Sequence, residues 1–183
     1  MVYLDARRIS DDIASEYLAH ELTHLITFNQ KERINGVQEE VWLNEARAEY
    51  APTLCGYNDS YKGSYLETRV GDFLRNPTDS ITEWQGKVAD YGALSLFIHY
   101  LADHYGEDII TDSLKSSKTG IESINEALKE SGFDEKFSDI FLDWTIAVFA
   151  NDCSLGEKYC YLSENLKDLR VVPQSNYLPL SSK

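Results

Sequence analysis

His20-Glu21-Leu22-Thr23-His24 reads H-E-x-x-H inside a helical pattern that runs from Ser10 to about Phe28. Side chains four residues apart on a helix lie one above the other, so both imidazoles can reach one metal ion. The glutamate beside the first histidine then stands where it can take a proton from water held at that ion. Ser10-Asp11-Asp12 supplies a cap and acidic first-turn residues for this helix. Ile13, Tyr17, His20 and His24 form one stripe, and Ala14, Leu18, Leu22 and Leu25 form another. A helix apolar on two sides is expected to be buried.

Two histidines do not complete a catalytic zinc site, which takes three protein ligands and leaves a fourth position open. Val41-Trp42-Leu43-Asn44-Glu45-Ala46-Arg47-Ala48-Glu49-Tyr50 reads as a second helix, ending near Pro52 to Gly56. Glu45 and Glu49 share a face of it. One of the two carboxylates can bind the metal, and the other can accept the free N–H of a ligating histidine, fixing its tautomer. Asn44 can do the same for the other imidazole. Trp42, Leu43, Ala46 and Ala48 surround the pair, which favours burial, and buried carboxylates need partners. Arg47 is expected to pair with a neighbouring acid rather than with a substrate carboxylate.

Twenty residues separate His24 from Glu45, and the second segment reads Asn44-Glu45-Ala46-Arg47-Ala48-Glu49. In this the chain resembles the gluzincin metallopeptidases, the thermolysin-like and aminopeptidase-like group, whose H-E-x-x-H is followed by a helix carrying N-E-x-x-x-E or N-E-x-x-x-D. The resemblance implies zinc at His20, His24 and Glu45, with Glu21 as general base. It also implies Glu49 as partner of His20 and Asn44 as partner of His24. Ala46 stands where many members carry glycine. Val88 to Phe97 is similar to the stretch that opens an apolar helix in the aminopeptidase-like members and supplies an oxyanion-binding tyrosine, here Tyr91, although the lysine-glycine pair of that stretch is absent. His99 and His104 are alternatives for the oxyanion role, since thermolysin-like enzymes use a distant histidine. Phe137 to Ala150 is similar to the closing helix of some peptidase-MA-like proteins.

Working outward, Leu66 to Leu74, Asp90 to Tyr105, Glu107 to Leu114, Ile121 to Lys129 and Phe137 to Ala150 read as further helices, punctuated by Asn76-Pro77, Gly106, Gly120 and Gly132. Asn29 to Gln38 reads as a loop, and Val2-Tyr3-Leu4 as one short edge strand. The class is therefore mainly α, and with the resemblance it becomes a gluzincin-type helical catalytic core with at most that strand. The 183 residues suit one domain, with the helical core over about 9–150 and a tail over 151–183. Gluzincins place a β-sheet ahead of the metal-binding helix, so the chain is expected to be either part of a larger protein with an upstream domain, the preferred reading, or a small domain with an abbreviated cleft wall.

The formal net charge of −14, with pI about 4.6, argues against nucleic acid and anionic membrane surfaces as partners. Mean hydropathy is −0.39 and no apolar run reaches the ~18 residues of a membrane span. Cys153 and Cys160 flank a short loop that a disulfide can close, which leaves Cys55 as an odd thiol, and no C-x-x-C pair offers a thiolate zinc site. Asp72, Asp79 and Asp90 match no calcium-loop spacing. Met1 to Arg8 lacks the apolar core of a signal peptide, which leaves the compartment open, with a secreted setting preferred.

The expected function is zinc-dependent hydrolysis of peptide or protein substrates, endopeptidase rather than aminopeptidase, since no motif for gripping a substrate amino terminus is visible. Two alternatives stand beside it. One is a catalytically silent zinc-binding helical module serving binding or scaffolding, against which Glu21 argues, because a structural site needs no base. The other is a zinc hydrolase acting on a non-peptide amide.

Overall fold

The computed structural model describes residues 12–57, 61–75, 77 and 80–171. The strand expected at Val2 to Leu4, the cap at Ser10-Asp11, Asp79 and the tail beyond Val171 lie outside them. Seven α-helices make up the described chain, and no strand occurs among the described residues: α1 (Asp12–Thr27), α2 (Val41–Leu54), α3 (Tyr65–Arg75), α4 (Val88–Tyr105), α5 (Glu107–Lys115), α6 (Gly120–Glu130) and α7 (Phe137–Ala150). The protein is mainly α, as the sequence pattern leads one to expect. No described helix is long and apolar enough to cross a membrane.

The centre of the molecule is α4. Its run from Gly92 to Ala102 is buried throughout, because apolar residues occupy every face of that stretch. α2 packs on one side of it, α3 on another, and α5 and α7 close the rest, while α1 lies outside α2. In the core Trp42 from α2 meets Phe137 from α7 edge to face, Phe97 from α4 meets Trp144 from α7 likewise, and Phe97 and Phe137 pack tilted against each other. Trp144 Nε1 donates to the Tyr161 hydroxyl at 2.9 Å, which donates in turn to the Leu96 carbonyl at 3.2 Å.

The α3–α4 crossing is tight for a specific reason. A Cβ on Gly92 would overlap the Arg69 carbonyl oxygen and stand 2.8 Å from Phe73 Cβ. Neither neighbour is a flexible side-chain end, so the helices would have to part. Gly92→Ala gains about 1 kcal/mol of helix propensity but incurs ~1–3 kcal/mol of overpacking. The expected result is a lower urea midpoint with an unchanged slope; a raised midpoint would mean that the crossing is more yielding than this.

The structure corrects the sequence reading at two places. The first is α1, expected to be buried on two sides. Its Leu18 and Leu22 are 45% and 49% exposed, and Leu25 is exposed with them. The histidine side must face α2, and the second apolar stripe points the other way. The second is Asn29 to Gln38, expected to be a loop. Phe28–Ile34 instead continues α1 as a wide π-helical turn. That turn carries Lys31 inward, where Nζ donates to the carbonyls of Ser113, Ser116 and Lys118 at 2.7, 2.9 and 2.6 Å. Asn35 Nδ2 adds bonds to Lys115 and Ser116. These carbonyls include the free ones at the C-terminus of α5, which a cation satisfies well.

After α7 the chain turns back through Asn151, at φ 37° in the left-handed region. Asn151 Nδ2 donates to the carbonyls of Leu166, Lys167 and Leu169, and its Oδ1 accepts from Tyr161 N–H. One buried amide thus latches the chain from Tyr161 to Leu169 onto the end of α7. Two short 3₁₀ turns, Cys153–Leu155 and Glu157–Tyr159, occupy the loop that the Cys153–Cys160 disulfide closes. Cys55 is a free, exposed thiol.

Candidate metal centre

α1 and α2 bring the two histidines and Glu45 to one point. His20 Nε2 and His24 Nε2 stand 3.2 Å apart. Glu45 Oε2 lies 3.5 Å from the first and 3.7 Å from the second. Donors of a tetrahedral zinc ion with bonds of about 2.1 Å stand about 3.4 Å from one another. The triangle therefore has the size that such an ion requires. Among the described residues this is the one group of three or more potential ligands close enough to hold a metal.

The outward nitrogens face partners on α2. His24 Nδ1 is 3.1 Å from Asn44 Oδ1. An amide oxygen only accepts, so Nδ1 carries a proton. His20 Nδ1 faces Glu49 Oε1 at 3.2 Å as an ion pair. Glu45 Oε2 is buried without a hydrogen-bond donor of its own among the described residues. Two imidazole Nε2 atoms and a carboxylate oxygen thus converge. Such a donor cluster needs positive charge at its middle, which a bound metal ion or a proton on His20 can supply. Burial disfavours a charged His20, yet the Glu45 and Glu49 carboxylates beside it outweigh burial and push its pKa up to about 9. The donor set, two borderline imidazoles and one carboxylate, could hold a divalent metal ion, zinc among others.

Glu49 is 2% exposed and is held from three directions. His20 is the first. Ser95 Oγ on α4 donates to Oε2 at 2.8 Å, and Arg69 Nε on α3 lies 3.6 Å from Oε1. Glu21 follows His20 on α1 with its side chain exposed. Tyr91 is half-buried in the first turn of α4. The Trp84 ring meets it edge-on at 4.8 Å, and the Arg69 guanidinium lies over its face, 4.1 Å from the ring centre. Burial first, and then the Glu45 carboxylate, raise the pKa of its phenol, so the hydroxyl keeps its proton and remains a donor.

The alternatives for the oxyanion role are engaged elsewhere. His99 is buried between the Ser95 carbonyl at 2.6 Å and Thr53 Oγ1 at 2.7 Å. His104 Nε2 donates to the Cys160 carbonyl at 2.9 Å. Arg47 pairs with an acid, Glu39, at 2.6 Å. Asp72 pairs with Arg75, and Asp90 accepts from the Gln85 and Lys87 N–H groups ahead of α4.

Two participants escaped the sequence reading. Ser95 left a signal: a serine inside the most apolar helix must satisfy its hydroxyl somewhere. Arg69 left none, since one arginine on an amphipathic helix ordinarily faces water. No protein-family model matches the chain, and none of the curated proteins matches it.

Proposed function

We propose that this chain is a zinc-dependent peptidase domain of gluzincin type, acting as an endopeptidase on peptide or protein substrates. The observation that carries this reading is the meeting of His20 Nε2, His24 Nε2 and Glu45 Oε2 at 3.2–3.7 Å with both opposite ring nitrogens already engaged. A zinc ion held by these residues supplies Lewis acidity for a scissile carbonyl and lowers the pKa of water toward neutrality.

The rest of the chemistry falls to the chain's own groups. Glu21, exposed beside the first ligand, receives the proton of the attacking water and delivers it to the departing amine. Tyr91 donates its phenolic proton as a hydrogen bond to the oxyanion that develops on the substrate carbonyl. Asn44 and Glu49 keep the two rings in the ligating tautomer and orientation. The exposed Leu18, Leu22 and Leu25 stripe supports the further proposal of an upstream domain of the parent chain against α1. The Cys153–Cys160 disulfide supports a secreted or extracellular setting.

The test has two parts. Elemental analysis of the purified chain is expected to show about one zinc per chain, lost in His20→Ala, since zinc needs all three protein ligands. A broad peptide-library digest is expected to show cleavage that stops on chelation and resumes on adding zinc back. Zinc bound at full occupancy without any cleavage would instead identify a silent zinc module.

A further inference from the structure

We propose that Arg69 is a positioning residue that ties the histidine-orienting carboxylate of Glu49 to the oxyanion-binding ring of Tyr91. The proposal rests on the peptidase reading for the role of Tyr91, but not for its geometry. One guanidinium faces both groups: Nε lies 3.6 Å from Glu49 Oε1, and Cζ lies 4.1 Å from the centre of the Tyr91 ring. These groups belong to α2 and α4, while Arg69 belongs to α3, so a single side chain joins three helices at the site.

Each contact has a physical purpose. Glu49 is a buried carboxylate, and an anion away from water needs a counter-charge. Ser95 contributes a hydroxyl donor but no charge. Arg69 contributes a charge, with Nε 3.6 Å from Glu49 Oε1. On the other side, a guanidinium over an aromatic face is attracted by the ring quadrupole and packs flat against it. With Trp84 edge-on at 4.8 Å, the Tyr91 ring is held from two directions. Gly92 makes the arrangement possible: without a Cβ, it admits the Arg69 backbone to van der Waals distance of α4 next to Tyr91 itself.

The experiment uses Arg69→Met and Arg69→Lys in the full chain, with zinc alone as the probe. Metal-free protein is titrated with zinc against a competing chelator. Arg69→Met is expected to lower zinc affinity by about tenfold, the lower end of the range for lost outer-sphere partners. Arg69→Lys, which keeps the charge, is expected to recover most of that loss. Ultraviolet titration of the phenols, referenced to Tyr91→Phe, reads the other arm. There Arg69→Met is expected to move the Tyr91 transition to higher pH, because a neighbouring cation is gone. Unchanged zinc affinity and an unchanged Tyr91 transition would overturn the proposal. So would equal losses of affinity in both variants, which would mark a packing role for the side chain. A wild-type chain that binds no zinc would overturn the metal reading itself, an outcome distinct from either.

Discussion

Replacing Glu21 with Gln is expected to lower kcat by ~10²–10⁴-fold while the zinc content stays at the wild-type level. Glutamine keeps the size and the hydrogen-bonding reach of glutamate but cannot accept a proton. Glu21 is not one of the three converging donors, and its side chain is exposed, so neither metal retention nor stability depends on it. Loss of a group that works only as the proton moves should depress kcat and kcat/KM together and leave KM nearly unchanged. The measurement is steady-state hydrolysis of a peptide taken from the library digest, paired with metal analysis of the same sample. Activity within tenfold of wild type at full zinc occupancy would remove Glu21 from the role of base. A parallel loss of zinc would show that the residue holds the site together instead.

How much of this arrangement could be read from the chain depends on what sets each part. The ends of α4 and α6 are written locally, in Gly106 and Gly132, both at positive φ where the helix must stop. The pairing of α1 with α2 follows from the spacing of His24 and Glu45, because twenty residues allow one turn-and-return and little else. Spacing alone puts Glu45 and Glu49 on one face without saying which of them faces the metal; the assignment of Glu49 to His20 and Asn44 to His24 rests on the resemblance. The π-helical turn at Phe28–Ile34 was not legible. Its shape is set by Lys31 and Asn35 reaching carbonyls eighty or more residues away, and a local pattern carries no trace of them. Nor could the exposure of Leu18 and Leu22 be foreseen. Periodicity reports that a helix has two apolar faces but not whether both are covered. Arg69 became legible only once Gly92 brought α3 against α4.

The second large effect is expected at Glu39, which never touches the metal centre. Glu39→Ala should lower stability by about 3–5 kcal/mol, the range for breaking a buried ion pair from one side. The carboxylate is buried at the start of α2, where Oε2 takes Arg47 Nη1 at 2.6 Å and Lys31 Nζ at 3.4 Å. Its Oε1 accepts the first N–H of α6, from Gly120, at 2.8 Å. Removing it leaves two buried cations facing each other across a void. Arg47 keeps only Ser113 Oγ at 3.0 Å from the bonds described, while Lys31 keeps its three carbonyls. Arg47 is therefore the group that makes the substitution expensive. Burial alone would raise the Glu39 pKa, but Arg47, the Gly120 N–H and Lys31 together hold it below the usual carboxylate range. The sign follows: the stability this group confers is present above its unfolded pKa near 4.5 and is lost as pH falls through the lower folded value. Urea unfolding at pH 7 and again below pH 4.5 should show the difference between wild type and Glu39→Ala shrinking in acid. A loss under about 1 kcal/mol at pH 7 would mean that Arg47 finds water or another acid, and the pair would then rank with surface pairs. Because Glu39 fixes the residue from which α2 departs, the same substitution should also weaken zinc binding. Asn44 and Glu45 lie within the first turn and a half of that helix, and a ligand set spaced at 3.2–3.7 Å tolerates little drift.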